Sequence, residues 1–210
     1  SLSGRPGRTF LMIGAVSLAA ALITAVSCAI GSAQASLELG LTRYLGAADA
    51  RIIHPAGGRF PLATIETVRQ WPEVVAATPR SASVVTVLRG DHGVDPETER
   101  PRRLTARAVG IDFETEPGFR TIELVAGAWP IAEDDVLIDP MAAEQLDVGA
   151  GDTLEIQRFG DPMTIRVAGV YQRPNMGGLQ RSRIYFSLPM LGAAADLGDE
   201  ISSIYICLLY

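Results

Sequence analysis

From Thr9 to Leu37 the sequence has no charged residue, and between Phe10 and Ile30 only Gly14, Ser17, Thr24 and Ser27 interrupt the apolar side chains. A helix rises about 1.5 Å per residue, so twenty-one residues cover a hydrocarbon core of ~30 Å. A signal-peptide core is shorter, about 7–15 residues. Three readings compete for the end of the run. Ala33-Gln34-Ala35 has the form of a signal-peptidase site, Cys28 sits behind small residues as in a lipoprotein, and the whole stretch suits a spanning helix. Length favours the span. Ser1 rather than methionine leads the sequence, so the run need not be the true N-terminus, where a cleavable signal must lie. Ala25-Val26-Ser27 lacks the leucine expected three positions before a lipidated cysteine. Ser17, Ala21, Ala25 and Ala29 recur at every fourth position, the small-residue spacing that lets membrane helices approach closely.

Charge orients the span. Arg5 and Arg8 precede it and Glu38 is the first charge after it, so the positive-inside rule puts the N-terminus in the cytoplasm and the rest outside. Leu37, Leu41, Tyr44, Leu45 and Ala48 fall at helical spacing and predict a stalk with one apolar stripe. The expected organisation is therefore 1–36 cytoplasmic flank and transmembrane helix, 37–49 stalk, and 50–210 an exported domain of two lobes.

The net charge is −6, and because residues 1–37 hold only two arginines, the remainder sums to −8. That balance argues against a nucleic-acid partner. All 18 basic residues are arginine, which excludes a Walker A lysine, a Schiff base or a lysine general base. Any ATP that powers this protein is bound elsewhere. Cys28 and Cys207, the two cysteines, lie in different environments and make no disulfide framework.

Beyond the stalk the pattern predicts an α+β domain with mixed sheets. Strands are expected at Ala50–His54, Ser83–Leu88, Leu104–Val109, Ile122–Val125, Asp135–Ile138, Thr153–Gln157, Thr164–Val170, Arg183–Leu188 and Ile201–Leu209. Helices are expected around Leu62–Gln70, at Pro140–Leu146 and at Pro189–Ala195. Gly90–Arg103, "GDHGVDPETERPRR", reads as a polar insertion, and Pro174–Gly178 breaks the pattern. Turns are expected at Pro55–Gly58, Ala126-Gly127 and Phe159–Pro162.

These segments, in this order, resemble the periplasmic core domain of MacB/FtsX-like ABC transporter permeases. "RPGRTFLMIGAVSLAAALITAV" is similar to the family's first transmembrane helix and "FPLATIETVRQWPEVVAATP" to its helix and following step. "AVGID" matches a strand end, "LVAGAWPIAEDDVLIDPMAAEQLDVGAGDTLEI" the most recognisable portion, and "IRVAGVY" the strand after it. The resemblance implies a permease subunit in the cell's inner membrane, working as a homodimer or heterodimer with a cytoplasmic ABC ATPase and with an extracytoplasmic partner protein. Such proteins transmit ATP-driven motion across the membrane to export or release a substrate, without being catalytic in this domain. The family's later spans and ATPase-coupling segment are not in the sequence, which reads as a fragment. The alternative from another class is a secreted or lipid-anchored α+β binding domain with no ATPase partner.

No catalytic, cofactor-binding or metal site is assigned. His54 sits beside a turn, and His92 with Asp91 and Asp95 lacks a ligand-spaced partner. Glu114/Glu116 and Glu133-Asp134-Asp135 fall in polar, turn-like stretches where solvated carboxylates are expected. Gly149–Thr153 precedes a strand and has no lysine, so it reads as a turn and not a phosphate loop. Ser182 lacks a nucleophile-elbow context. Trp71 and Trp129 each precede a proline; core packing and an aromatic partner patch both fit them. The segments Gly90–Arg103 and Pro174–Arg183 are the loops preferred for partner contact.

Overall fold

A computed structural model describes residues 6–45, 48–90, 101–158, 161–173 and 181–209, with side chains of the first helix described from Phe10 to Ser32. The chain divides into two compact units, Ser1–Gly46 and Ala47–Tyr210.

The first unit is a single helix, α1 (Pro6–Leu45). Its segment Phe10–Ser32 is long and apolar enough to cross a membrane. Within it Phe10, Leu11, Val16, Leu22 and Ile30 are all exposed, and apolar residues cover every face. Such a helix is stable where its surroundings are apolar too. The helix runs past the span to Leu45; the stalk stripe at Leu37, Leu41, Tyr44 and Leu45 lies outside the described side chains.

The second unit contains β1 (Ala50–Ile53), β2 (Phe60–Pro61), α2 (Thr64–Arg69), β3 (Val74–Arg89), β4 (Arg103–Ile111), α3 (Glu116–Phe119), β5 (Leu124–Gly127), β6 (Asp135–Ile138), α4 (Pro140–Leu146), β7 (Thr153–Gln157), β8 (Met163–Tyr171), β9 (Arg183–Ser187), α5 (Leu188–Ala194), β10 (Glu200–Ile201) and β11 (Ser203–Leu208). The chain is thus an N-terminal apolar helix followed by a mixed, sheet-rich α/β domain, in keeping with the expected fold class.

Six of these strands close on themselves. β3 pairs with β4, β4 with β9, β9 with β6, β6 with β8, β8 with β7, and β7 again with β3. Closure removes free edges and encloses alternate side chains. The enclosed set follows a strict period of two: Val85 and Val87, Ala106 and Ala108, Val136 and Ile138, Leu154 and Ile156, Ile165 and Val167, Ile184 and Phe186. Leu146 of α4 and Leu191 of α5 join this core, and both are fully buried. Side chains of opposite parity, Leu137 and Tyr185, join Ile111 and Tyr171 in a separate cluster, against which Phe113 and Trp129 pack.

A smaller sheet region is attached to the ring through β3. The first half of β3 pairs with β11, and β11 pairs with β1. Ile65 and Val68 of α2 close over it with Ala77, Ile201, Ile204 and Ile206. We call this region the root. β3 therefore serves both regions, and its sixteen residues extend ~50 Å at about 3.3 Å each.

Several elements differ from expectation. β3 begins at Val74, nine residues before the expected Ser83, and runs straight through Pro79. Pro79 is tolerated because this half of the strand is bonded on one side only, by β11, and proline's missing donor falls on the other. The expected strand Ile201–Leu209 is two, β10 and β11, because Ser202 leaves the ladder to donate its amide to Arg80 O at 2.9 Å. Ala126-Gly127 ends β5 instead of forming a free turn. Gly127 has φ +83°, and a Cβ there would meet Ala168 O at 2.2 Å, so the chain approaches β8 at a distance only glycine permits. The two-residue β2 and the four-residue α3 were too short to show a period. Of the expected loops, 91–100, 159–160 and 174–180 lie outside the described residues.

Candidate functional site: the root and its junction with the ring

The root brings the first strand after α1 beside the last strand described. Ala50 at the start of β1 lies opposite Ile206 near the end of β11. The Asp49 amide donates to Ile206 O at 2.9 Å, and the Asp49 carboxylate accepts from the Leu208 amide at 2.7 Å. Leu209 N then donates to Glu73 O at 2.8 Å, just ahead of β3. One aspartate so ties the start of β1 to the end of β11. Cys207 lies in the same place; burial, together with the Asp49 charge, pushes its thiol up and away from the reactive thiolate.

Where β3 leaves β11 and takes up β4, between Arg80 and Ser81, the structure places a buried charge cluster. Arg80 donates to both oxygens of Glu116, Nε to Oε2 at 3.2 Å and Nη2 to Oε1 at 2.6 Å. Arg120 approaches the same Oε1 at 3.3 Å. Glu116 is fully buried, against the expectation of a solvated carboxylate, because the short α3 turns it inward beneath β3. Burial pushes its carboxyl up, while Arg80 and Arg120 pull the other way. The Arg80 guanidinium also lies over the Tyr205 ring of β11, 4.0 Å from its centroid, with Arg51 of β1 at 5.4 Å. The carbonyl of Arg80 accepts from the amide and hydroxyl of Ser202. One residue therefore holds α3, β3 and β11 at the point where the root becomes the ring.

The cluster continues along the outer face of the ring. Arg120 Nη2 donates to Tyr185 Oη at 2.7 Å, and Arg183 Nη1 reaches the same oxygen at 3.2 Å. Asp139 caps α4 by accepting from the Ala142 amide at 2.8 Å, and its other oxygen accepts from Arg183 N and Arg173 Nη1. In the polar run Glu133–Asp135 the first two carboxylates are exposed, as expected, but Asp135, like Glu116, is buried at 2% exposed. Burial opposes its charge, but the amides of Ile131 and Ala132 and the Arg166 guanidinium hold its carboxyl below the ordinary range.

The other residues singled out in the sequence find structural roles. His54 Nδ1 accepts from the amides of Ala56 and Gly58, closing the expected turn. Asp152 accepts from Gly149 N at 2.8 Å and sets the turn into β7. The Ser182 side chain is buried, and its carbonyl accepts from Arg107 N. Trp129 packs edge-on to Phe113 and donates to its carbonyl, the core reading, whereas Trp71 is 46% exposed. His92, Asp91, Asp95 and most of both preferred loops lie outside the described residues.

Beside the junction, the open side of β3 borders a groove of about 460 Å3 formed by Arg69, Val74–Ala77 and the α3 residues Gly118 and Phe119. Even-numbered residues of β11 face β1, as the bond from Asp49 to Ile206 shows, so the odd ones face β3. Their partners are Ala76, Thr78 and Arg80, so Ala77 between them turns its main-chain groups away from β11, while the register shifts at Val75, between the pairs Cys207–Ala76 and Leu208–Val74. Ala77 O accepts from Arg69 Nη2 at 3.3 Å.

A model of the MacB-like periplasmic core domain matches residues 9–208. Similar solved structures include the extracellular domain of the noncanonic ABC-type transporter YknZ from Gram-positive bacteria, 14% identical, with a TM-score of 0.56 over 75% of this chain and 76% of that one. The periplasmic region of MacB from Actinobacillus actinomycetemcomitans is 17% identical, with a TM-score of 0.53 over 75% of this chain. A domain of a putative permease from Porphyromonas gingivalis is 13% identical, with a TM-score of 0.50 over 79% of this chain. The chain spans 66% and 63% of the latter two. At these identities the likeness concerns the fold. Among curated proteins none matches significantly.

Proposed function

The chain belongs to the family of MacB-like periplasmic core domains, and on that premise we propose that it is the extracytoplasmic part of an ABC transporter permease that passes ATP-driven motion outward to move or release a substrate. The domain is noncatalytic in this reading. ATP is hydrolysed by a cytoplasmic ATPase, and the permease works as a homodimer or heterodimer in the inner membrane. The boundaries at 36/37 and 49/50, and the division of the exported part into root and ring as two lobes, belong to the same proposal.

The observation that carries it is the pairing of β1 with β11 at the root. A domain inserted between two membrane spans needs its entry and exit side by side, and the pairing of β1, the first strand after the span, with the late strand β11 through Asp49 supports that arrangement. From that base, β3 runs unbroken into the closed ring. Displacement of the root then moves the ring as a body, because the Arg80–Glu116 pair and the Ser202 bonds resist a bend at the junction.

The test uses the full-length permease with its ATPase in lipid, with Cys28 and Cys207 replaced by serine. A spin-label pair at Val75 and Val84, exposed positions on either side of the junction, is expected to keep its distance when ATP is added. A single label at Val84 is expected to report a changed distance between protomers. An ATP-dependent change confined to the first pair, or failure of any ATPase to co-purify, overturns the proposal. The gene beyond Tyr210 is also expected to encode three further apolar spans.

A further inference from the structure

On the outside of the ring, β3, β4 and β9 present arginines that lack the carboxylates the fold supplies to others. Val85, Ala106 and Ile184 point into the ring, so by alternation Val84, Thr105, Arg107 and Arg183 point out. Phe113, Ile122 and Trp129 pack over the end of this outer face next to Ile111. At the other end Val84 is 58% exposed, and Arg103, Thr105 and Arg107 are exposed as well.

Register sets the arginines side by side. Arg107 lies opposite Val84 on one flank and opposite Arg183 on the other, while Arg103 lies opposite Leu88. Like charges directly opposite one another work against strand pairing. Elsewhere on the ring Arg166 is matched by Asp135, Arg173 by Asp139 and Arg89 by Asp147. Among the described residues neither Arg103 nor Arg107 has an ion-pair partner. Glu155 of β7 shares the face but stands two strands from Arg103, beyond Leu88, about 10 Å away at ordinary strand spacing.

The chain beyond Glu38 is acidic, so this face is cationic against the charge of its own domain. Arginine forks take carboxylates two bonds at a time, and Val84 adds an apolar contact beside them. Two copies meeting through this same face would set Arg103 and Arg107 against themselves, which like charge disfavours. We propose that the outer face of β3, β4 and β9, at Val84, Arg103 and Arg107, binds an acidic segment of a separate extracytoplasmic protein.

This binding needs neither nucleotide nor ATPase, so its failure and the failure of transmitted motion are separate results. The test titrates the full chain, in uncharged detergent, against a labelled, capped octapeptide of alternating glutamate and valine. The control carries glutamine in place of glutamate. The acidic peptide is expected to bind at least about tenfold more tightly than the control and to weaken with salt. The double substitution Arg103→Thr and Arg107→Thr is expected to lose that binding at least about tenfold. Threonine suits a strand face and lifts the opposition to Arg183, so this variant is expected to unfold at the parent's temperature or above. The pair Arg103→Gln and Arg107→Gln, which keeps most of the side-chain length, is expected to lose binding equally. Equal binding of the two peptides, absence of binding, or binding unchanged in both double variants overturns the proposal. Binding seen only after Asp91, Asp95, Glu97 and Glu99 are changed to amides also overturns it, because the face would then belong to the chain's own segment. So does a self-associated state, measured by light scattering, that either double variant abolishes, because the face would then hold a second copy.

Discussion

The ring and the root share one strand and are built on opposite terms. In the ring every one of six strands has two neighbours, and the interior is a period-two lattice of aliphatic side chains with Phe186 among them. In the root three strands are tied by Asp49, Ser202 and the Arg51–Tyr205–Arg80 stack, and one edge of β3 stays open. Closure through all six strands holds the ring's shape. The open root is where connections can attach. The difference teaches that stiffness and access are separated along a single strand, with the buried pair at Arg80 as the dividing point.

Substitutions at three levels test that separation. The largest effect is expected from Phe186→Ala in the ring interior, where the fully buried ring leaves a cavity costing about 3–5 kcal/mol. Denaturant unfolding of the full chain measures it; a loss below about 1 kcal/mol would mean the ring is loosely filled. Glu116→Ala comes next. It strands Arg80 and Arg120 without their carboxylate, for about 3–4 kcal/mol in the range found when one partner of a buried pair is removed. The comparison predicts that amide exchange rises first in β3 near Arg80 and in β11, while β7 and β8 stay protected. Uniform exchange would show that ring and root are one cooperative block. Gly127→Ala, forced to φ +83° against Ala168 O, is expected to cost at least about 1 kcal/mol at the β5 edge.

Two carboxylates give opposite pH signs. Asp135 has a lowered value in the folded state, so its contribution is present above the ordinary carboxylate range and is lost as pH falls through that range toward the folded value. Glu116 has a raised value, so the folded state binds its proton more tightly, and stability rises as pH falls from the folded value toward the ordinary one. Asp135→Asn is expected to flatten the acid limb of a stability curve, and Glu116→Gln to remove the opposing slope. Arg69→Ala is expected to have the smallest effect, within about 0.5 kcal/mol, because its pair with Glu66 is exposed.

Most of the ring's strands were legible in the sequence because alternation survives burial. Thr153–Gln157 and Pro140–Leu146 match β7 and α4 at both ends, and Ile165 and Val167 face inward as Arg166 faces out. Closure was not legible. It depends on β7 pairing with both β3 and β8, and nothing local in five residues reports two partners. The root was harder still. Prolines at 72 and 79 mask the start of β3, since a one-sided edge accepts a residue that a central strand would reject. Glu116 was missed for a similar reason. Its neighbours Glu114, Thr115 and Pro117 are polar or turn-forming, and its real partners stand 36 residues earlier and four later. An arginine at the end of an apolar strand-like run, Arg80, was the one available signal that a buried carboxylate was needed.

The position of β11 has a consequence for biosynthesis. It is the last of the described strands, yet it lies between β1 and β3, and Leu208 bonds to Asp49 across 159 residues. A ribosome delivers β1 early with no neighbour to pair with, and the six ring strands are all complete before β11 emerges. Newly made chains should therefore hold a finished ring on an unfinished base, into which β11 is then inserted as one strand. Long-range closure of that kind is slow compared with local pairing. Until it happens, β1 and the near half of β3 present bare edges, and the interval is when a chaperone has most to protect.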